Sequence, residues 1–288
     1  MSVPEDRQDP IYQGHRLRKR LRAARESAGL THTDVADALE WSPSKINRIE
    51  TGKVGLAITD TRALLDLYGV DDPAEVQEIT AMARAARLPS WWAPYRTVAS
   101  PDFLRYLSYE TSAIRVRNFE PNLIPGLLQS EDYARDLIGT SSEKAESLLT
   151  LRLERQDRIV HAGGPDMHFI IDESVIRRVI GGERTMKGQF EKLLLLNELE
   201  NVNIKVVPFT AGLYPQFRAP YVLFQFPEED EDLVVYLERP DGSVLLSERS
   251  AYASTGTKEP ADYLDDFWFV ERNVAQDLSE EFLFKNLE

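Results

Sequence analysis

The feature that most constrains the fold is the run LTHTDVADALEWSPSKINRIETG, residues 30–52. Its capping and apolar residues have the spacing of two short helices joined by a tight turn. Thr31 can cap the first helix, and Asp34, three residues later, can complete a shortened capping box. Ser42 can cap the second helix, whose first position, Pro43, needs no backbone N–H. The run therefore predicts a helix pair with both N-termini defined.

The predicted helices each have an inner apolar face. Its members recur at helical spacing: Val35, Ala36, Leu39, Ile46 and Ile49. At about 100° per residue, the polar residues of the second helix fall opposite, with Lys45 on the flank. These outward residues are Ser44, Asn47, Arg48 and Thr51. Gly52 is placed to end the helix, and Glu40-Trp41 forms the turn. The pattern is typical of a helix-turn-helix, whose second helix lies in the DNA major groove.

Apolar stripes predict three more helices around this pair. The stripes are Leu17, Leu21 and Ala24, then Leu64, Leu65 and Leu67, then Val76, Ile79, Met82 and Ala83. Gly29 and Gly69 mark helix ends, and Asp72-Pro73 opens the last helix. We therefore predict an all-α, five-helix domain over residues 15–88 after a disordered tail, residues 1–14. From about His15 to Val70 the segment resembles the phage-repressor-like (Xre-type) DNA-binding domain.

That resemblance implies roles for individual residues. In the family, base edges are read from the first turn of the second helix and from one turn later, and the residue after the first cap usually contacts phosphate. Arg48 is the best candidate for bidentate guanine readout, and His32 stands where the family most often has Gln. The predicted DNA-binding set is His32, Thr33, Ser42, Pro43, Ser44, Lys45, Asn47, Arg48 and Lys53. For any one exposed Arg or Lys, a solvated charge is the alternative.

The net charge of −14 argues against loose, nonspecific binding to nucleic acid. Its distribution is uneven, because residues 11–53 carry nine Lys and Arg against five Asp and Glu. Since screening acts over about 8 Å at physiological salt, DNA would sense mainly this local patch. We therefore expect specific, salt-sensitive binding to double-stranded DNA.

Length and composition predict two domains and a soluble, cytoplasmic protein. The chain has no cysteine, which fits a reducing compartment, and no apolar run near the roughly 20 residues of a membrane span. We place a linker at residues 89–101 and a second domain at residues 102–288. Trp91 and Trp92 would be costly in water, so we expect the linker to dock on the second domain.

The second domain is predicted to be α+β, with helices around a mixed sheet. Helices are expected at 103–119, from Ser130, from Ser142 to about Val160, at 173–180, 183–200 and 259–284, and strands at 167–171, 203–207, 220–226, 233–239 and 243–247. Residues 122–129 form an apolar loop. The strand-helix-strand order around residues 167–207 favours parallel pairing, and the last three strands favour hairpins.

This region is similar to the C-terminal domain of WhiJ-like actinobacterial regulators. The similarity lies in Ile124–Gln129 with Tyr133-Ala134, Arg152–Gln156, Ile171–Glu173 and Val206–Phe209. Such regulators join this domain to an Xre-type reader and are often encoded beside a small acidic partner protein, an arrangement described as antitoxin-like. The similarity implies transcriptional control and identifies no effector.

An enzyme is the weakest interpretation of the second domain. His168, Asp172 and Glu173 lie near a strand end, but there is no nucleophile motif, glycine-rich phosphate loop or ligand-spaced histidine set. Asp172-Glu173 is more simply a helix cap, and the acid run 228–232 a solvated turn. No catalytic residue, cofactor or metal is therefore expected. Arg152, Arg155 and Arg158 would meet an acidic partner or form local ion pairs.

One reader covers few base pairs, so we expect a homodimer on two half-sites. The last helix has an apolar side that could close the dimer or finish the core, and the core is favoured: Tyr263, Leu264, Phe267, Trp268, Val270 and Val274. We predict a sequence-specific transcriptional regulator with a sensory or protein-interaction domain. The alternative is an antitoxin-like module that sequesters a small partner and uses DNA binding for autoregulation.

Overall fold

The computed structural model describes residues 9–139, 142–161, 163–227, 233–239, 242–247 and 258–285. The chain divides into two compact units, Pro4–Ala93 and a second built mainly from Pro94–Glu288. The acid run predicted at 228–232 lies outside the described residues. Within the described ranges, no helix combines the length and the apolar character needed to cross a membrane.

The described part of the first unit contains five helices, as predicted. They are α1 (Pro10–Ser27), α2 (His32–Ala38), α3 (Pro43–Glu50), α4 (Ile58–Tyr68) and α5 (Pro73–Ala85). Every residue of the predicted apolar stripes and inner faces belongs to one core or packs against it. Val35, Ala36 and Ile79 are completely buried at its centre. The helical spacing of apolar residues was therefore sufficient to identify this core.

Local capping sets the helix boundaries around the turn. Thr31 Oγ1 accepts from the Asp34 backbone N–H at 3.2 Å, and Asp34 Oδ2 accepts from the Thr31 N–H at 2.8 Å, which confirms the capping box. Ser42 Oγ accepts from the Lys45 N–H at 3.2 Å. Gly52 ends α3 with φ +74°, and a Cβ there would also lie 2.9 Å from the guanidinium carbon of Arg18. Only glycine meets both conditions without strain.

The N-terminal boundary of the unit differs from the prediction. α1 begins at Pro10, with Asp9 accepting from a first-turn N–H as its cap. Tyr12 is buried, and the indole of Trp92 donates to Asp9 Oδ2 at 3.2 Å. The predicted disordered tail is therefore wrong for residues 9–14, and Trp92 of the predicted linker forms its hydrogen bond within the first unit. The Asp-Pro pair that opens α1 is the same signal that correctly located α5.

The second unit is α+β with a mixed sheet, as predicted. Its elements are α6 (Pro101–Ser112), β1 (Arg115–Glu120), α7 (Glu131–Ile138), α8 (Glu143–Ile159), β2 (Asp166–Asp172), α9 (Glu173–Arg177), α10 (Glu183–Asn197), β3 (Val202–Val207), β4 (Tyr221–Gln225), β5 (Val234–Arg239), β6 (Gly242–Ser247), α11 (Pro260–Asn273), β7 (Gln276–Asp277) and α12 (Glu280–Phe284). The seven strands have the order β6-β5-β4-β1-β2-β3-β7. β2 pairs parallel with β1 and β3, and β4, β5 and β6 form antiparallel pairs.

A strand replaces the second half of the helix predicted at 103–119. The helix ends at Ser112, and β1 pairs with β2 on one side and β4 on the other. Because both faces of β1 are covered, residues 116–119 are all buried. A central strand without apolar-polar alternation cannot be told from a buried helix by its periodicity.

The helix predicted at 259–284 is interrupted. α11 ends at Asn273, β7 pairs antiparallel with β3, and α12 follows. Phe267 and Val270 of α11 are completely buried in a cluster with Phe119 and Tyr221 of the sheet. The apolar side of this helix therefore finishes the core, which was the favoured alternative.

A buried ion pair joins α6 to α8. Arg155 donates to both carboxylate oxygens of Glu110, at 2.6 and 2.7 Å, and Tyr106 donates to the same carboxylate at 2.9 Å. Burial opposes the charge of Arg155, but Glu110 beside it more than compensates and raises the pKa of Arg155. The exposed Arg158 pairs with Glu154. The prediction that Arg155 could meet an acidic partner is wrong, because its charge is neutralised inside the unit.

Breaking this ion pair should destabilise the second unit strongly. We expect Glu110→Ala to lower the free energy of unfolding by about 3–5 kcal/mol, since it leaves a buried guanidinium without its counter-ion. Urea unfolding followed by far-UV circular dichroism measures the change. The control is Arg158→Gln, which removes an exposed pair on the same helix and should stay within about 0.5 kcal/mol of the wild type. Equal effects of the two variants would contradict a special role for the buried pair.

Candidate nucleic-acid interface

The outward face of α3 is polar and accessible. Ser44, Asn47, Arg48 and Thr51 are all exposed, whereas Ile46 and Ile49 on the opposite face are buried. The side chains of Asn47 and Arg48 form no hydrogen bond with another described residue. Donors and acceptors of this kind can be offered to base edges without first breaking contacts within the protein.

Lys45 lies between two partners. Its Nζ is 3.0 Å from Asp60 Oδ2 and 3.2 Å from the centre of the Trp41 ring. These contacts connect α3 to the turn before it and to α4. A phosphate would have to compete with Asp60 for this ammonium group. Trp41, which was predicted to lie in the turn, packs against the core of the unit.

The remaining members of the predicted DNA-binding set lie at helix ends. Thr33 and Ser42 are exposed in the first turn of α2 and at the cap of α3, and Lys53 is exposed just after α3. Pro43 is also exposed and gives the start of α3 an apolar contact surface. His32 is half-exposed, and its Nε2 lies 3.0 Å from Glu50 Oε2. One ring nitrogen of His32 is therefore already bound within the protein.

A buried carboxylate at the end of α3 was missed by sequence reasoning. Glu50 accepts from Nε and Nη2 of Arg25 at 2.6 and 3.1 Å, and Arg25 Nη1 also donates to the Leu30 carbonyl at 2.7 Å. Together with His32, this joins α1, α2 and α3 at one point. A signal was present, because Glu50 follows Ile46 by four residues and so lies on the apolar face of its helix.

Electrostatics keep Glu50 ionised. Burial would raise the pKa of this carboxyl, but the hydrogen bonds from Arg25 and His32 outweigh burial, and the pKa is lowered below its ordinary value. Nearby, burial and the charge of Glu50 raise the pKa of Tyr68 to about 12, so its hydroxyl stays protonated. At neutral pH the ionised Glu50 therefore keeps both of its partners, Arg25 and His32, in place.

The basic patch of α1 is weaker than the count over residues 11–53 indicated. Arg16 and Arg20 both contact Glu78 of α5, at 3.3 and 3.2 Å, and Arg22 pairs with Glu26. Glu78 lies outside the counted segment but is brought beside it by the packing of α5 on α1. One further negative charge therefore faces the basic patch, and directional contacts from α3 gain importance.

The acid-base candidates of the second unit do not converge on one site. Asp172 caps α9 and accepts from the Tyr214 hydroxyl at 2.6 Å, while Glu173 pairs with Arg177. His168 instead faces Glu271, with Nδ1 2.7 Å from its carboxylate. The capping role predicted for Asp172 is confirmed. No group of three potential metal ligands occurs among the residues that the structure describes.

Comparisons with known proteins agree with this division. The model of a helix-turn-helix domain matches residues 16–79. The model of a domain of unknown function, DUF5753, matches residues 103–256, which is more than half of the chain. No curated protein and no solved structure gives a significant match.

The Glu50 network gives a pH-dependent prediction. Because the pKa of Glu50 is lowered in the folded state, its stabilisation is present above the ordinary pKa of about 4.5 and is lost as the pH falls below that value. We expect Glu50→Gln to cost about 1–3 kcal/mol at pH 7 and progressively less toward pH 3. Thermal unfolding between pH 3 and 7 checks this, with the exposed Glu40→Gln as control. A loss of stability independent of pH would contradict the assignment.

Proposed function

The chain belongs to the DUF5753 family and is a DNA-binding regulator with an N-terminal helix-turn-helix domain, and from this premise we propose a sequence-specific transcriptional regulator of the Xre type. We further propose that it acts in the cytoplasm as a homodimer on two half-sites, with no catalytic step of its own. The observation that carries the proposal is the exposed polar face of α3, on which Asn47 and Arg48 have no partner among the described residues.

The proposed contacts divide into readout and positioning. Arg48 reads a guanine through two parallel hydrogen bonds, and Ser44 and Asn47 supply secondary contacts to base edges. Lys53 and the helix ends at Thr33 and Ser42 bind phosphates and set the register. His32 and Lys45 are supporting contacts, because Glu50 and Asp60 already engage them. Such a small reader gains specificity from pairing two copies about 34 Å apart on one face of the duplex.

Specific readout and backbone binding should separate by mutation. We expect Arg48→Ala to weaken operator binding by about 1–3 kcal/mol, roughly 5- to 150-fold, and to relax the preference at one base position. Lys53→Ala should weaken binding to all DNA sequences alike. It should also reduce the magnitude of the slope of log affinity against log salt concentration by about 1. Genome-wide binding supplies the operator, and fluorescence anisotropy then measures both effects.

The matched control is Arg62→Ala, which removes an exposed arginine of α4 outside the proposed contact set. Its affinity, sequence preference and salt slope should equal those of the wild type. If Arg62→Ala and Arg48→Ala weaken binding equally on every sequence, α3 is not the reading element. If the intact protein protects no site at any ionic strength, the proposed function is wrong.

A second candidate function is antitoxin-like sequestration of a small partner protein, as the similarity to WhiJ-like regulators implies. It is supported by apolar exposure in the segment after β3, where Phe209 and Leu213 are 60% and 83% exposed. Such side chains on a folded unit mark surfaces for other proteins. The negative charge of the chain gives no attraction for an acidic partner, so apolar contacts would have to supply the affinity.

This second function predicts a stoichiometric complex. The tagged chain, expressed in its native host, should co-purify a small acidic protein at fixed ratio, and Phe209→Ser with Leu213→Ser should release it while leaving operator affinity unchanged. The pair Val179→Ser with Leu195→Ser, at other exposed apolar positions, is the control. Purification of the chain without a stoichiometric partner would reject sequestration as its main activity.

A further inference from the structure

A cavity of about 410 Å³ lies within the second unit. Asn118 and Glu120 of β1 and Tyr236 of β5 line it from one face of the sheet, and Phe103 of α6 and Arg152 of α8 line it from the helices. Its volume falls in the range of about 300–1,000 Å³ that is typical of sites for small molecules. Its lining combines aromatic and aliphatic side chains with a larger share of polar and charged groups than most such sites have.

The floor of the cavity contains a hydrogen-bond acceptor that has no donor among the described residues. Asn118 is 7% exposed, and its Oδ1 forms no hydrogen bond with the described residues. In β1, Asn118 alternates with Phe119, which packs on the opposite face against Tyr221. The amide therefore belongs to the face that lines the cavity. A buried carbonyl oxygen without a partner is uncommon in folded proteins and calls for a donor from a bound molecule.

The wall of the cavity holds a cation that forms no ion pair with a described residue. Arg152 donates to the side-chain oxygen of Gln129, and no carboxylate oxygen of a described residue lies within 4.0 Å of its guanidinium. Burial, with Arg155 nearby, lowers the pKa of Arg152 to about 10, so it remains charged at neutral pH. Arg155, one turn along α8, has the full carboxylate of Glu110 instead. The unused donors of Arg152 favour an anionic group.

Glu120 forms no ion pair with Arg152, and the exposed Glu238 of β5, which also lines the cavity, raises the pKa of Arg152 from beyond ion-pair distance. Glu120 Oε1 accepts from the backbone N–H of Asn122 at 3.1 Å, and burial raises the pKa of the Glu120 carboxyl to about 7. Near neutrality it can therefore hold a proton and donate a hydrogen bond to a bound acceptor. The cavity thus offers a cation, a protonatable acid and a free carbonyl oxygen around aromatic rings.

We propose that this cavity binds a small organic acid, whose carboxylate pairs with Arg152, whose hydroxyl or N–H donates to Asn118, and whose apolar body packs on Phe103 and Tyr236. A dicationic or purely apolar ligand would leave one of these groups uncompensated. The proposal deepens the proposed function by giving the DUF5753 domain a ligand class, and it rests on that function only for the regulatory consequence.

Direct titration of the full chain without DNA tests the binding. The probes are three acids, 4-hydroxyphenylacetate, indole-3-acetate and 6-hydroxyhexanoate, each compared with its primary amide by isothermal calorimetry and thermal shift. We expect at least one acid to bind the wild type at least tenfold more tightly than its amide, as a charge-assisted pair with Arg152 requires. Arg152→Gln should abolish this preference, and Arg158→Gln on the same helix should retain it.

Asn118→Leu provides an independent variant. It removes an acceptor with no protein partner, so the ligand-free Tm should not fall, whereas affinity for the acid should drop roughly tenfold. A lower ligand-free Tm with unchanged affinity would assign Asn118 a structural role and overturn its place in the site. The proposal is also overturned if none of the three acids binds the wild type, or if the acid preference survives in Arg152→Gln. Arg48→Ala should bind the acid normally, which separates failure of this site from failure of the DNA reader.

Discussion

The reading surface depends on one buried carboxylate, that of Glu50. It closes the end of α3 against Arg25 of α1 and His32 of α2, at distances between 2.6 and 3.1 Å. A helix of eight residues has little stability of its own, so its orientation has to come from tertiary contacts. Apolar packing through Ile46 and Ile49 supplies attraction without direction, whereas a two-pronged ion pair also fixes rotation about the helix axis. The side chains of Asn47 and Arg48 are thereby held in place without hydrogen bonds of their own to described residues.

The second unit contains a similar buried ion pair, but an arginine one turn earlier on the same helix has no carboxylate partner among the described residues. Arg155 is neutralised by Glu110, whereas Arg152 on the same helix faces a cavity with only an amide as its partner. Desolvating a half-buried guanidinium that has no carboxylate partner costs free energy. An apolar residue at this position would therefore make the folded unit more stable. Arg155 therefore carries a structural charge, whereas the charge of Arg152 is available to a ligand. The Arg152–Gln156 run, one basis of the family resemblance, thus contains both kinds of residue.

The sequence predicted what is encoded locally and missed what depends on distant partners. Caps at Thr31, Ser42 and Asp172 and the apolar stripes of the first unit act within a few residues, so their spacing was enough. β1 was taken for helix because it is a central strand, paired on both edges with β2 and β4 and buried throughout residues 116–119, and such a strand lacks the alternation that marks a half-buried one. The outward face of α3 could be listed from periodicity. The engagement of Lys45 by Asp60 and of Arg16 by Glu78 could not, because each pair joins residues on different helices.

The charge of the protein also determines how strongly DNA attracts it before a specific site is reached. With a net charge of −14 and part of the basic surface of α1 offset by Glu78, the long-range attraction for a polyanion is small. Nonspecific affinity, which grows with each phosphate neutralised, is correspondingly low. Discrimination therefore has to come from a few short, directional hydrogen bonds, and these require side chains that are not already paired. Asn47 and Arg48 meet that requirement on α3, since their polar groups are exposed and make no hydrogen bond within the described chain. Ion pairs around them engage several of the other charges of the unit, so in the proposed function the same electrostatic arrangement would limit indiscriminate binding and leave the reading groups available.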